Sequence, residues 1–301
     1  HMMYYETMRL QWDREWENGL RLKAQLRTQR DEPTAALFYQ SLDGMGTPSE
    51  DASKYRKHLR TNDLTVGLTY QPGVTWINTK QRRIPSNQNA PIFSLSHTAG
   101  LYEHMGSNRA YNFTEAGIYK RFWLPSWGKI DTYLKGGIQW NRVPFPLLIM
   151  PAANLSYIVE DHTFSLIDNM EFLNDRYASL MMSWDLNGKI FNRIPLLRRL
   201  KWREYLGFNL LWGSLSSKNN PFLEKNATDS RLFYFPGSFN PEGTFNYLSR
   251  VMDEKKPYME VIAGIHNIFK ILHVEYVRRL TYNDRPGTDK WGIRLMLRAT
   301  F

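Results

Sequence analysis

The sequence predicts an all-β chain, a transmembrane antiparallel β-barrel, and three observations carry that reading. The last eleven residues alternate: Trp291, Ile293, Leu295, Leu297, Ala299 and Phe301 share one face, and Gly292, Arg294, Met296, Arg298 and Thr300 the other. A strand has period two, so this segment has one apolar side and one wet, cationic side, at a length with which a tilted strand crosses a bilayer. The same beat recurs along the chain in segments of about ten to twelve residues, where soluble proteins use about five or six. The connections come in two kinds, tight turns and long polar loops, which is the asymmetry of membrane barrels.

Taken in order, the first strand sets Met8, Leu10, Trp12 and Trp16 against Arg9, Gln11, Asp13 and Glu15. Glu17-Asn18-Gly19 is a hairpin turn signal. In 20–29, Leu20, Leu22, Ala24 and Leu26 alternate with Arg21, Lys23, Gln25, Arg27 and Gln29. Further strands are expected at 60–71, 91–102, 113–123, 130–141, 177–186, 202–213, 258–266, 271–281 and 291–301. That makes about 11–12 strands in all. Pro125 to Gly128 and Asn267 to Lys270 are short links, whereas 31–57, 143–175 and 214–257 are long and rich in Gly, Pro, Asn and Ser. Counting back from a periplasmic C-terminus puts the short turns on the periplasmic side and the long loops outside. The stretch from Phe191 to Lys201 breaks the beat and reads as a basic periplasmic turn with a short helix. No repeat or domain boundary interrupts the pattern, so residues 1–301 are expected to form a single outer-membrane barrel domain. Single-chain bacterial barrels have even strand numbers; the odd count therefore implies further strands ahead of this chain, within a larger barrel of about 16 strands.

The same alternation fits a soluble all-β protein with its apolar face inward, because periodicity does not say which face is inside. Charges and glycines on the polar faces, the strand lengths and the alternating loops favour the membrane. Composition agrees: aromatics reach 14%, as interface girdles need, and no run of eighteen apolar residues exists to form a spanning helix. There are no cysteines, which excludes disulfide scaffolds, thiolate metal sites and cysteine nucleophiles. Basic residues number 39 against 29 acidic, a net charge of +10, but they are dispersed and not gathered into a groove with stacking aromatics. Nucleic acid is therefore not the expected partner; a cationic lumen and contact with outer-membrane lipids and anionic lipopolysaccharide are.

The residues expected to matter follow from the faces. Arg21, Lys23, Arg27, Lys135, Glu275, Arg294 and Arg298 should face the lumen. Trp12, Trp16, Trp140, Trp184, Trp202, Trp212 and Trp291 should form the aromatic girdle, and Phe301 the terminal assembly anchor. The histidines scatter without metal spacing, and no Gly-x-Ser-x-Gly, phosphate loop or carboxylate cluster occurs. His273 and Glu275 share a lumen side with His266 across a short hairpin, a constellation that reads as a buried polar network more readily than as a catalytic dyad. No cofactor, no metal and no enzymatic activity are expected.

Five longer strings then point to relatives: Lys80–Pro85, Gly136–Leu148, Glu171–Ser179, Asn187–Glu204 and Gly264–Leu280. Over essentially the whole chain they resemble the C-terminal barrel of an uncharacterised Bacteroidota family of outer-membrane proteins. That resemblance implies an N-terminal carboxypeptidase-regulatory-like β-sandwich, and makes this chain a fragment or trimmed product. The order of strands and loops toward the C-terminus is also similar to BamA-type barrels, which insert or export other proteins. In such barrels an outer loop folds back into the lumen and is pinned by an arginine-centred motif. Here the 143–175 loop stands in the matching place, with Phe164 to Arg176 as counterpart and Asp175 or Arg176 as the pin. The family's motif is absent, and Asn174-Asp175-Arg176 reads more readily as a plain turn.

The resemblance implies a non-enzymatic barrel of the Gram-negative outer membrane that assembles or translocates other proteins, with envelope proteins as partners. One alternative is a passive or partner-gated nutrient pore lined by the lumen cations. The other is a structural anchor for surface lipoproteins through the 214–257 loop. Removal of Phe301 is expected to slow or abolish membrane assembly.

Overall fold

Eleven long strands form one antiparallel sheet in which chain order and spatial order coincide. In this computed structural model the described residues are 3–34, 37–80, 83–153 and 162–298. The strands are β1 (Met3–Glu15), β2 (Leu20–Pro33), β3 (Leu59–Tyr70), β4 (Ile92–His104), β5 (Ser107–Leu124), β6 (Gly128–Gln139), β7 (Arg176–Asp185), β8 (Arg203–Ser214), β9 (Tyr258–Ile268), β10 (Leu272–Arg279) and β11 (Trp291–Leu297). Two short hairpins, Trp76–Asn78 with Arg83–Pro85 and Gly237–Phe239 with Phe245–Tyr247, decorate the loops. The one α-helix among the described residues, α1 (Pro195–Leu200), is six residues long.

The period-two pattern sorts the two faces cleanly. Leu10, Leu26, Leu64 and Ala99 are cross-strand partners in one row, and Ile118, Leu134, Leu180, Leu210 and Met259 in another. These rows lie on a bare face, where Leu10, Leu95, Leu134 and Ile293 are exposed. The opposite face carries most of the charges and glycines and is covered by loop residues over β8–β11, whereas β1 is exposed on both faces. Its commonest device is an aromatic ring laid across a glycine to reach a carboxylate. The Tyr111 hydroxyl donates to Asp63 at 3.0 Å, its ring passing over Gly100, and Tyr177 donates to Glu115 at 2.6 Å across Gly137. A Cβ on Gly100 would sit 2.5 Å from the Tyr111 ring, so the row needs glycine there.

At one end three connections are short, Trp16–Gly19, Pro125–Trp127 and Phe269–Ile271, but 71–91 and 186–202 lie at the same end and are long, so the expected division into short turns and long loops holds only in part. At the other end run 34–58, 140–175, 215–257 and 280–290. One connection there departs from the sequence expectation. β4 and β5 run on to a two-residue turn at Met105-Gly106, both with positive φ (49° and 73°), where 103–112 reads as loop in the sequence. A hairpin turn with two left-handed residues matches strand twist, and Gly106 supplies one of them freely. The last strand also ends sooner than its alternation extends: β11 closes at Leu297, and 299–301, including Phe301, lie outside the described residues.

The sheet has two edges. Among the described residues β1 pairs only with β2 and β11 only with β10, and the two are not joined.

Candidate functional site

The site is built where the loop between β6 and β7 turns back onto the charged face of β8–β11. Phe164, Ile167 and Phe172 from this loop pack with Leu211, Met252, Tyr258 and Tyr282 in a buried cluster. Strand parity puts Glu260, Glu275, Arg279 and Arg294 on this face, and register sets Glu260 opposite Arg279 and Glu275 opposite Arg294. Charges placed opposite one another across a sheet attract. Here each also reaches into the loop.

Glu260 is fully buried and acts as a backbone clamp. Its carboxylate accepts from the amides of Ser165 (3.1 Å) and Leu166 (3.3 Å), from Asn209 Nδ2 (2.8 Å) and from the Tyr258 hydroxyl (2.9 Å). Four donors satisfy a carboxylate that would otherwise be prohibitive to bury. Glu171, from the loop, takes the opposite role. Arg279 donates to both its oxygens, at 2.6 and 3.0 Å, and Arg250 to one at 2.6 Å. Arg279, its side chain 0% exposed, also donates to the carbonyls of Leu166 (2.8 Å), Thr281 (3.1 Å) and Tyr282 (3.0 Å) and lies 4.9 Å over the Tyr258 ring. Arg250 reaches Asp284 at 3.1 Å and stacks on Phe172 and Tyr282. A bidentate guanidinium pair of this kind fixes geometry as well as charge. Arg294 completes the set, donating to Glu275 at 2.6 Å and to the Ser165 hydroxyl, while His266 Nε2 bonds Glu275 at 2.9 Å. The loop is thus latched at its backbone, at a hydroxyl and at a carboxylate.

The residues singled out from the sequence distribute as follows. Arg21 pairs with Asp13 at 3.1 Å, and Lys23 stands opposite Asp13 in register. Arg27 pairs with Asp63 at 2.8 Å, Lys135 with Glu115 at 2.8 Å, and Glu275 and Arg294 with one another. Arg298 follows β11; its amide donates to Ile271 and its carbonyl lies 3.3 Å from His273 Nε2. Asp175 is buried but serves the loops, accepting from Ser216 N at 3.0 Å and Asn219 Nδ2 at 2.9 Å. Arg176 opens β7 with its side chain 47% exposed. The latch lies four residues earlier, at Glu171. Trp16, Trp184 and Trp202 stand at the short-turn end, Trp140, Trp212 and Trp291 at the long-loop end, and Trp12 on the bare face three residues from the end of β1. The His266 and His273 rings lie 4.3 Å apart, tilted by 57°, within the Glu275 network. Among the described residues no group of His, Cys, Asp or Glu forms a metal cluster.

None of Glu260, Arg250 and Arg279 is among the residues singled out from the sequence. Parity could have found Glu260, since Tyr258, Glu260 and Ile262 share a face. Nothing local marks Arg250, which lies in a loop and meets Glu171 only through the folded chain.

An eleven-stranded up-and-down sheet with one bare apolar face and one loop-filled polar face is the architecture of a barrel. The comparisons with known proteins agree. Residues 1–227 match the family model described as the C-terminal domain of a family of unknown function, DUF5686, and the chain belongs to that family. Among solved structures the chain is similar to BamA from Haemophilus ducreyi lacking POTRA domains 1–3, with a TM-score of 0.51 at 12% identity over 97% of this chain. It spans 53% of that structure's length. It also aligns with CdiB from Acinetobacter baumannii, at 11% identity and a TM-score of 0.37, over 97% of this chain and 49% of that one. No curated protein matches.

Proposed function

We propose that this chain is an outer-membrane barrel that assembles or translocates other envelope polypeptides and carries out no enzymatic chemistry. The observation behind the proposal is the loop segment 162–173, folded onto the polar face of β8–β11 and latched by Glu171, Arg250 and Arg279 beside the free edge of β11. The bare apolar face supports a lipid environment, and lipopolysaccharide would meet its outer rim.

Among the described residues the outer side of β11 pairs with no strand, and a sheet edge, a row of backbone donors and acceptors, is the template on which another strand adds by β-augmentation. Within a membrane such groups find no water, so a client strand is the natural partner. The latch would hold β8–β11 rigid while that edge exchanges partners. Envelope proteins that supply or receive the client are the partners this reading implies, with surface lipoproteins seated on the long loops as the alternative anchor role.

The pore reading rests on a cavity of about 370 Å3 beside Glu115, Lys135 and Tyr177. Against it, the lumen cations Arg27, Lys135 and Arg294 are each neutralised by a carboxylate, which leaves little field to select anions. Depletion of the intact protein in its own cell separates the two. The assembly reading expects the loss of a subset of other outer-membrane proteins with solute uptake unchanged; normal levels of those proteins with impaired uptake would select the pore.

A further inference from the structure

The turn between β7 and β8 takes no part in the latch, yet it is the most one-sided element of the chain. Between Asp185 and Glu204 the sequence has no carboxylate and six cations: Lys189, Arg193, Arg198, Arg199, Lys201 and Arg203. Among the described residues no ion pair joins any of them to a carboxylate. Interleaved with them are exposed large apolar side chains, Ile190, Ile194, Leu196 (69% exposed) and Leu200. Leu196 and Leu200 are one helical turn apart on α1 and share a face. The neighbouring β9–β10 turn adds Phe269, which is 81% exposed, and Ile271.

This is not a loose loop. The Glu204 carboxylate accepts from the Phe191 amide, and the Glu204 carbonyl from Leu186 at 3.1 Å. Pro195 starts α1, and Lys201, with φ of 56°, ends it. Asn267 Nδ2 then donates to the Lys201 carbonyl at 2.7 Å, tying the two turns together. Held in place, the element keeps apolar and cationic groups in solvent, and both need a partner. Its location narrows the choice. It sits at the end of strands whose bare faces are apolar, next to the Trp127 and Trp184 rings, 6.1 Å apart, with Lys189 over Trp127. Tryptophans with flanking basic residues are what a chain presents at the level of lipid headgroups.

We infer that the 186–203 turn is a membrane-interface foot that binds anionic phospholipid headgroups of the periplasmic leaflet. Leu196 and Leu200 dip among the acyl chains, and Arg193, Arg198 and Arg199 hold phosphates. Charge complementarity selects the anionic lipid, and the exposed leucines select a membrane over an acidic protein surface. The inference rests on the bare face of the sheet lying in a bilayer, so its test carries a control for that reading.

The chain has no cysteine, so a single introduced one takes a spin label cleanly. The intact protein bearing L196C or L134C is reconstituted into vesicles of phosphatidylcholine alone or mixed with phosphatidylglycerol. Accessibility of each label to oxygen and to an aqueous nickel chelate is then measured, with heat-modifiable migration in gel electrophoresis as the check of folding. Both labels should favour oxygen several-fold. Label 196 alone should move deeper when phosphatidylglycerol is present, and R193E/R198E/R199E should abolish that shift. Should the triple variant not fold, R198Q/R199Q is expected to reduce the shift. A lipid-exposed label 134 with label 196 in water would overturn the inference and leave the foot to an acidic protein. The same depth in both vesicles would remove the phosphate recognition. A label 134 in water would overturn the membrane reading, and this inference with it.

Discussion

At the scale of single residues the structure turns on Glu171. Its carboxylate accepts from both Arg250 and Arg279 in the latch, and the Arg279 side chain has no solvent to fall back on. Breaking one side of a buried ion pair costs about 3–5 kcal/mol, because the remaining charge is stranded. Glu171→Gln should therefore lower the urea midpoint of the folded barrel and open the loop to trypsin. Combining Glu171→Gln with Arg279→Met should cost less than the sum of the two, since the stranded charge is then gone. A second residue prediction concerns pH. Asp229, in the 215–257 loop, is held down to about 2 chiefly by its hydrogen bond from Arg231, with Arg142 adding to the attraction. A depressed carboxylate contributes stability that is present above its unfolded value of 3.8 and is lost as pH falls through about 2. Hydrogen exchange of the long loops should thus rise between those two pH values, and Asp229→Asn should show raised exchange already at neutral pH. Strand parity alone assigns Arg27, Lys135 and Arg294 a face in the sequence. Glu171 was legible only as part of a string, since its partners come from two other segments, 79 and 108 residues away.

At the scale of elements, the strands were the most readable part. In mid-strand the bare face stays exposed while burial is confined to the other face, where Leu211, Ile262 and Val277 join the polar and aromatic groups, so the period-two signal is not blurred by a two-sided core. The face assignment makes an asymmetric prediction. Leu134→Arg, on the bare face in mid-strand, should cost about 2–4 kcal/mol in a bilayer, whereas Lys135→Gln next to it should cost far less. Unfolding from lipid vesicles by guanidinium reads both. Gly100→Ala tests the inner face, because its Cβ would displace the Tyr111 ring from Asp63. Overpacking of this kind costs about 1–3 kcal/mol, and Tyr111→Phe in the same background should not restore it. The elements misjudged in the sequence were those set by turn geometry. Met105 in a left-handed conformation is not a residue from which a tight turn is read, and so β4 and β5 looked shorter than they are.

At the scale of the molecule, the long loops act as one body. Leu37 and Tyr39 from the first, Val143 and Phe145 from the second, and Phe233 and Phe235 from the third share a single buried cluster. Asn219 reinforces it, donating to Asp175 and to the Asn141 carbonyl while accepting from the Val143 amide. None of this was legible beforehand, because loop-to-loop packing follows from how the sheet brings its strand ends together and not from any local pattern. The sheet edges were foreseen only as an odd strand count. In the structure they are β1, thirteen residues long, and β11, seven. The proposed function requires β11 to receive client strands. The most direct measurement places a photo-crosslinking residue at Leu295 on β11, and at Leu180 on β7 within the sheet, in the intact protein of living cells synthesising a tagged outer-membrane barrel. Crosslinks should form from Leu295 to the tagged chain during its assembly, and none from Leu180. Equal crosslinking from both positions, or none from Leu295, would contradict it.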